Sequence, residues 1–190
     1  MTVPAPDTAR TRSGRLMLVA LFVLFFGTAF VAVMLRMSGY MPAGLKNHGE
    51  LLQPPTDLRQ LQPLLADGRP YEWNPTARIW RIVAAPPADC GAACGELLAE
   101  LDKVWQLFGH NADSVEVLWL GPLPAGTPAL PELRQLQDDA ALRAALPRVD
   151  DPAGIPLYVI DPNGFVVLRY PPHADPSGLR TDVARLLKLK

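Results

Sequence analysis

The part of the sequence that follows residue 36 has no excess of basic residues. From Met37 onward it carries 14 lysines and arginines against 18 aspartates and glutamates, a net charge of −4. Proteins that bind nucleic acid or an anionic membrane surface generally present a basic patch. The composition therefore excludes nucleic-acid binding as the function of this part of the chain.

Charge and proline are both absent from residues 16–35, LMLVALFVLFFGTAFVAVML. A helix of this length rises about 30 Å, which matches the hydrocarbon thickness of a bilayer. The apolar core of a cleaved signal peptide is usually about 7–15 residues long and is followed by a small-residue cleavage site, which the next residues, MLRMSGYM, do not resemble. We therefore expect residues 16–36 to be an uncleaved transmembrane anchor after a short N-terminus, residues 1–15.

The basic residues around this span are distributed unequally. Three arginines precede it, and one arginine and a more distant lysine follow it: Arg10, Arg12, Arg15, then Arg36 and Lys46. The positive-inside rule places the more basic flank in the cytoplasm. We expect a single-pass protein of the bacterial inner membrane whose C-terminal part lies in the periplasm.

Regular hydrophobic patterns are scarce in residues 37–77, which are rich in proline, glycine and polar residues. We expect a linker there that leads into an N-terminal flap, with a turn at NHGE and a short strand after it. From residue 78 the pattern is regular. Apolar, β-branched runs predict two strands and amphipathic spacing predicts two helices: strands at 78–85 and 114–121, helices at 94–109 and 132–146.

Two more apolar runs, in IPLYVIDPNGFVVLRYPP, flank the tetrapeptide DPNG. This pattern favours a hairpin, because Asn-Gly tolerates the positive φ of a tight turn. The final segment predicts a short helix with Asp175 or Ser177 as its N-cap. Residues 78–190 thus follow the order β-α-β-α-β-β-α, the thioredoxin arrangement. The expected fold class is α/β, a thioredoxin-like domain with a central mixed sheet behind one transmembrane helix.

Cysteine is equally scarce, since the chain has only Cys90 and Cys94, in CGAAC between the first predicted strand and helix. The start of a helix favours thiolate over thiol, so the position indicates reactivity. Outside the cytoplasm such a pair is readily oxidised. A merely structural disulfide is the alternative, but a loop this short constrains the unfolded chain very little.

The spacing of the pair leaves two chemistries open. Residues i and i+4 of a regular helix have Cβ atoms about 5–6 Å apart, whereas a disulfide prefers about 3.8 Å. A disulfide therefore requires Cys90 to lie off the helix. Two thiolates that remain apart can instead hold one soft ion such as Cu(I).

The cysteine pair after a strand, the anchor and the hairpin LYVIDPNGFVVLRY together resemble the Sco group of copper-handling thioredoxin-like proteins, which assist assembly of the copper centre of cytochrome c oxidase. The segments KNHGELLQPP, WRIV, CGAAC, LDKVWQLFG and YVIDPNGFVVLRYPP also resemble small membrane-anchored proteins encoded beside cytochrome oxidase genes in proteobacteria. The resemblance implies Cu(I) as a bound ion and cytochrome c oxidase subunits or assembly factors as partners.

Two departures from the Sco pattern concern the site itself. Gly95 stands where Sco proteins have a proline after the second cysteine, and VDDPAGIP, before the hairpin, lacks the histidine that completes their copper site. Pro156 occupies the position at which thioredoxin-like proteins carry a cis-proline against the cysteines, although trans is the default for an Ile-Pro bond.

A third copper ligand would have to be a histidine nitrogen or a methionine sulfur, and His48 is the candidate. His48, in the NHGE turn, is the histidine free to fold over the cysteines. His110 lies about 24 Å from Cys94 at the helical rise, and we expect it to be exposed at the end of the helix. His173 follows the last strand in a proline-rich surface turn. Met34, Met37 and Met41 are interpreted as apolar packing at the end of the span.

Three hypotheses about function follow. In the first, the protein assists oxidase assembly by thiol-disulfide exchange or Cu(I) transfer, with Cys90 as nucleophile or first thiolate, Cys94 as resolving or second thiolate, and Pro156 shaping the approach of the substrate. In the second, it is a general thiol-disulfide oxidoreductase without a copper role. In the third, it is a non-catalytic scaffold that contacts the oxidase through its span and flap.

Overall fold

The computed structural model describes residues 8–38 and 46–189, so Met41 lies outside the described residues. The chain divides into two units between residues 45 and 46. The first contains helix α1 (Thr8–Met37). Its segment Gly14–Met37 is long and apolar enough to cross a membrane, and its apolar side chains are exposed. The predicted apolar helix is confirmed.

The second unit is built on one six-stranded mixed sheet. Its elements, in chain order, are β1 (Glu50–Asp57), β2 (Trp80–Ala84), α2 (Gly91–Gln106), β3 (Val115–Leu120), β4 (Leu133–Leu136), α3 (Ala140–Ala145), β5 (Leu157–Ile160), β6 (Phe165–Tyr170) and α4 (Pro176–Leu186). The strand order is β1-β6-β5-β2-β3-β4. Strands β2, β3 and β4 are parallel to one another, and the remaining pairs are antiparallel.

Apolar residues cover both faces of this sheet, because side chains alternate between faces along each strand. Ile82 and Ala84 of β2 belong to a core that includes the buried residues of α2 and α4. Val83 and Ala85 belong to a second core, which includes Leu142 of α3. Helix α2 packs directly against α4. Burial on both faces explains why β2 and β3 read as nearly continuous apolar runs.

The predicted helix at 132–146 is wrong in its first half. Residues 133–136 form strand β4, which pairs in parallel with β3. From its other side, β4 is joined by a neighbouring segment: the Ala66 N–H donates to the Gln135 carbonyl and the Gln137 N–H to the Leu64 carbonyl. These pairings come from distant parts of the chain and override the local helical spacing. The helix starts only after Asp139, whose side chain caps it.

The predicted hairpin is confirmed, with β5 and β6 joined by the DPNG turn. The Asp161 side chain accepts hydrogen bonds from the backbone N–H groups of Asn163 (2.9 Å) and Phe165 (2.8 Å). Gly164 has φ of +96°, the left-handed conformation that glycine adopts most easily. The C-terminal helix is also confirmed, with Asp175 as its N-cap.

Strand β1 forms the outer edge of the sheet beside β6, and its register shifts between Leu51 and Thr56. The residues at this irregularity include Pro54 and Pro55. Proline has no N–H to donate, which is why it is tolerated at sheet edges and bulges. The predicted strand after NHGE therefore exists as an interrupted edge strand.

A buried carboxylate fastens the start of β1 to α4. Asp182 is 3% exposed and accepts hydrogen bonds from the backbone N–H groups of His48 (2.6 Å) and Gly49 (3.0 Å) and from the Tyr170 hydroxyl (2.9 Å). Burial by itself would raise the pKa of Asp182, but these hydrogen bonds and the His48 ring hold that pKa below its ordinary value. The charged carboxylate therefore stabilises the attachment of this segment.

Replacing this carboxylate by an amide, Asp182→Asn, is expected to destabilise the domain by roughly 2–4 kcal/mol, because charge-assisted hydrogen bonds are lost in a buried place. The folded-state pKa is lowered, so the contribution of Asp182 is complete above its ordinary value of 3.8 and is lost as pH falls through the lowered pKa. Below pH 3.8 the Asp182→Asn variant should thus lose less stability than the unsubstituted chain does. Urea unfolding of the full chain in detergent, at a series of pH values, measures both effects.

Asp113→Asn is the matched control, since Asp113 is an exposed aspartate of the same unit. It should change the free energy of unfolding by less than about 0.5 kcal/mol. Equal stabilities and equal acid transitions for the two variants would show that Asp182 does not hold the segment.

Candidate functional site

The two cysteines lie where β2 gives way to α2, as the sequence predicts. Cys90 is the N-cap residue of α2 and Cys94 is in its first turn. They form a disulfide with a Cα–Cα distance of 5.6 Å. Cys94 is buried in the core beneath α2, at 3% exposure, whereas Cys90 is only half-buried. Cys90 is therefore the sulfur that a thiol from another molecule can reach.

Gly91 explains how a pair with this spacing can close. Its φ is +54°, in the left-handed region, so the backbone turns between Cys90 and the rest of the helix. This places Cys90 off the regular helical path, which is the condition that the i, i+4 separation imposes on a disulfide. A residue with a Cβ would adopt this conformation only with strain.

The start of α2 places backbone N–H groups of the helix beside Cys90. The Cys90 side chain makes no capping hydrogen bond, and the first turn contains no acidic residue. Unpaired N–H groups and the helix dipole stabilise a nearby anion. Once the disulfide is reduced, this setting favours a thiolate at Cys90.

Residues 151–156 form the loop before β5, and residues 153–155 of this loop line a groove beside the cysteine pair. The buried Arg169 donates a 2.6 Å hydrogen bond to Asp151, whose other oxygen accepts the Ala153 N–H at 3.0 Å. These two contacts, the Ala153 one first, hold the pKa of Asp151 below its ordinary value. Pro156 is buried at the end of the loop. The cis peptide bond among the described residues precedes Pro54, so the bond before Pro156 is trans.

A groove of about 450 Å³ runs between α2 and this loop. Ala93, which stands between the two cysteines, lies at the α2 wall together with Glu96, Leu97 and Glu100. The opposite wall contains Ile155, Leu157 and His173. The groove therefore begins at the turn of α2 that carries the two cysteines, and its apolar lining has charged groups along it.

The structure does not bring His48 to the cysteines. Asp182 holds the His48 backbone against α4, and the His48 ring lies 3.1 Å from the same carboxylate. Among residues 8–38 and 46–189 there is no group of three or more histidine, cysteine, aspartate or glutamate residues that could hold a metal ion. Of the expected set, the structure brings Cys90 and Cys94 together and places His48 beside α4.

His173 is the histidine that the structure places at the groove, and its position was not expected. Its Nε2 lies 3.0 Å from the Ala153 carbonyl oxygen. The hairpin register could have predicted this position. Leu157 pairs with Tyr170 across the hairpin. Continuing the same register three residues beyond each partner places His173 opposite Gly154. His110 is exposed in the 3-10 helix Gly109–Ser114, as expected.

A disulfide at the start of the helix that follows β2, on a mixed sheet with a C-terminal hairpin and helix, defines a thioredoxin-like domain. The model of the family described as "Transmembrane-like, thioredoxin-like, C-terminal domain" matches residues 80–190. The chain belongs to this family, and the predicted fold class is confirmed. No curated protein matches the sequence with statistical significance.

Solved structures show the same fold. Yeast Sco1 with copper bound has a TM-score of 0.53 and 16% identity, covering 77% of this chain and 96% of that one. Arabidopsis thaliana ScoI with copper bound has a TM-score of 0.50 and 15% identity, covering 75% and 99%. A SCO1/SenC family lipoprotein from Bacillus anthracis has a TM-score of 0.50 and 17% identity, covering 73% and 98%. The predicted likeness to the Sco group is confirmed in fold.

The conformation of Gly91 can be tested by substitution. Gly91→Ala is expected to destabilise the oxidised chain by about 1 kcal/mol, because alanine is strained at a φ of +54°. Gly95→Ala is the matched variant in the same helix, where a Cβ meets nothing within 4 Å. It should stabilise the chain by about 0.5–1 kcal/mol through helix propensity. Urea unfolding of the full oxidised chain measures both, and stabilisation by both alanines would contradict the role given to Gly91.

Proposed function

We propose that this protein is anchored in the bacterial inner membrane by α1, carries its thioredoxin-like domain in the periplasm, and exchanges disulfides with proteins that assemble cytochrome c oxidase. The observation that carries this proposal is the disulfide between half-buried Cys90 and buried Cys94 at the start of α2. The membrane topology is supported by the apolar segment Gly14–Met37 and by the arginines that precede it.

The choice of cytochrome c oxidase assembly is supported by two independent likenesses. The sequence segments around the cysteines and the hairpin resemble membrane-anchored proteins encoded beside oxidase genes, and the domain has the fold of Sco proteins. Oxidase subunits and assembly factors with cysteine pairs are the partners that this proposal names.

The exchange proceeds in two balanced steps. A partner thiolate attacks Sγ of Cys90, the Cys90–Cys94 bond breaks, and Cys94 leaves as a thiolate. The second partner thiolate then attacks the partner's own sulfur in the mixed disulfide, and Cys90 leaves. Two electrons pass from the partner dithiol to the cysteine pair, and the two thiol protons pass to Cys90 and Cys94 or to water. The reverse sequence reduces a partner disulfide.

The surroundings of the two cysteines support a separate role for each. Cys90 is the more accessible of the two, so it forms the mixed disulfide, and in the reverse, reducing sequence the buried Cys94 thiolate attacks Cys90 and resolves it. The start of α2 stabilises the Cys90 thiolate when Cys90 is the leaving group. Pro156, buried at the end of the loop that borders the groove, shapes the approach of the partner chain.

Cu(I) is a second substrate that the same two sulfurs can take, as cargo. Two thiolates suit this soft ion, and the structures of yeast Sco1 and Arabidopsis thaliana ScoI have copper bound. This chain offers two sulfurs and, among its described residues, no histidine, aspartate or glutamate that completes a three-ligand group with them. Transfer to a partner that supplies further ligands therefore suits the site better than stable storage.

Trapping of the mixed disulfide tests the proposal. A full-length Cys94→Ser chain is expected to accumulate a covalent adduct through Cys90, since it lacks the resolving thiol. Cells are treated with an alkylating agent, and the adducts are isolated from membranes and identified by mass spectrometry. Cys90→Ser, which keeps only the buried cysteine, is the matched control and should give roughly tenfold less adduct.

The identity of the adducts separates the hypotheses. Oxidase subunits or assembly factors in the adduct, together with loss of oxidase copper spectra in either variant, support the proposal. Adducts dominated by unrelated proteins indicate a general oxidoreductase. Copurification with the oxidase that survives loss of both cysteines, with normal oxidase spectra, indicates a scaffold. Titration of the reduced full chain with Cu(I) adds the cargo test, for which a tight 1:1 complex is the positive result.

A further inference from the structure

The groove beside the disulfide carries uncompensated negative charge. Glu96 and Glu100 lie one helical turn apart on its α2 wall, and both are exposed. Within the part of the chain that the structure describes, neither carboxylate has an ion-pair or hydrogen-bond partner. Among the described residues, no lysine or arginine lines the groove, and His173 is its remaining ionisable group. The two carboxylates are therefore available to a cation from another molecule.

The lining between these charges is apolar. Leu97 lies on α2 between the two glutamates in sequence, and Ile155 and Leu157 lie on the opposite wall. All three are partly buried against the core that contains Cys94. A lysine or arginine side chain combines an apolar stem with a charged head, and such side chains bury the stem on apolar surface while the head meets an anion. The groove has this same arrangement of apolar surface and carboxylates.

We infer that the groove selects partner segments in which a basic residue accompanies the reactive cysteine. This inference rests on the proposed exchange at Cys90 and names the class of chain that reaches it. The partner's cysteine meets Cys90 while its lysine or arginine packs over Leu97 and pairs with Glu96 or Glu100. Charge complementarity at an interface of this kind acts chiefly on the rate of association.

The helix geometry sets the spacing within the partner. Helix α2 starts at Gly91, and Glu96 lies five residues further, about 7.5 Å along the axis at the helical rise, with Cys90 one residue before that start. An extended chain advances about 3.3 Å per residue. The basic residue is therefore expected about three residues from the reactive cysteine.

The test measures how fast Cys90 reacts with synthetic peptides in the full-length, reduced Cys94→Ser chain. Each peptide has one cysteine carrying 5-thio-2-nitrobenzoate and, three residues away, lysine, alanine or glutamate. The Cys90 thiolate attacks the peptide sulfur, a Cys90–peptide disulfide forms, and the coloured thionitrobenzoate thiolate leaves. At low ionic strength the lysine peptide should react about three- to tenfold faster than the glutamate peptide, the effect expected of one or two exposed ion pairs. Salt at about 1 M should remove most of this preference.

Paired substitutions identify the groups responsible. Glu96→Gln with Glu100→Gln should bring the lysine and glutamate peptides to within about twofold of each other. Glu72→Gln with Asp113→Asn removes two exposed carboxylates outside the groove and should leave the preference intact. Each rate is divided by that with uncharged hydroxyethyl disulfide, which corrects for any change in the intrinsic reactivity of Cys90.

The following outcomes would overturn the inferred selectivity of the groove, the proposed exchange, or both. Equal rates for the three peptides, with normal reaction of hydroxyethyl disulfide, overturn the inference and leave the proposed exchange intact. A preference that persists in the Glu96 and Glu100 double variant also overturns it, because the charge then resides elsewhere. Failure of Cys90 to react with any peptide or with hydroxyethyl disulfide overturns the proposed exchange and the inference together.

Discussion

The central position of β5 in the sheet determines where the site is. Strand β5 pairs antiparallel with β2 on one side and β6 on the other, with Ala84 opposite Leu157 and Leu157 opposite Tyr170. The end of β2, the start of β5 and the end of β6 therefore lie side by side at one end of the sheet's strands. The cysteine segment, the loop that ends at Pro156 and the turn containing His173 leave the sheet from these three points. Hydrogen bonds of the sheet thus bring together groups that are more than 60 residues apart in sequence.

Charged side chains that are buried or half-buried then fix the segments that leave this end of the sheet. Arg169 of β6 is 1% exposed and is bound to Asp151, which holds the loop beside the groove. Arg143 of α3 donates to the carbonyl oxygens of Ala85 and Pro86, at the start of the segment that leads to Cys90. Buried ion pairs add little net stability, but breaking one leaves an uncompensated charge. Such contacts restrict the loops to one arrangement, which matters where two walls must face each other across a groove.

Much of this architecture is predictable because its signals are local. The strands β2 and β3, the cysteine helix, the DPNG hairpin and the C-terminal helix each follow from hydrophobic period or turn chemistry within about 15 residues. Strand β4 is not predictable in this way, because its four residues are defined by hydrogen bonds to β3 and to residues 64–66. The leucines of β4 are compatible with both the helical and the strand period, so the pairing with other segments decides that these residues form a strand.

The site shows the same division between local and distant information. The cysteines at a helix start are visible in the sequence, and so is the need for a break beside Cys90, which Gly91 provides. The placement of the histidines depends on contacts between remote segments. His48 is drawn to α4 by Asp182, 134 residues away, and His173 reaches the groove through the hairpin register. A sequence pattern identifies residue types for chemistry, but the sheet determines which of them meet.

The two edges of the sheet are closed by different means, and this affects how copies of the domain can coexist. Residues 64–66 occupy the backbone groups of β4 at one edge, and the prolines of β1 interrupt the row of donors at the other. Open strands are templates on which further chains add by main-chain hydrogen bonding. Domains carried on membrane-spanning helices meet one another by diffusion in two dimensions, where encounters are frequent. With one edge covered and the other interrupted by prolines, we expect neighbouring domains not to join by strand addition.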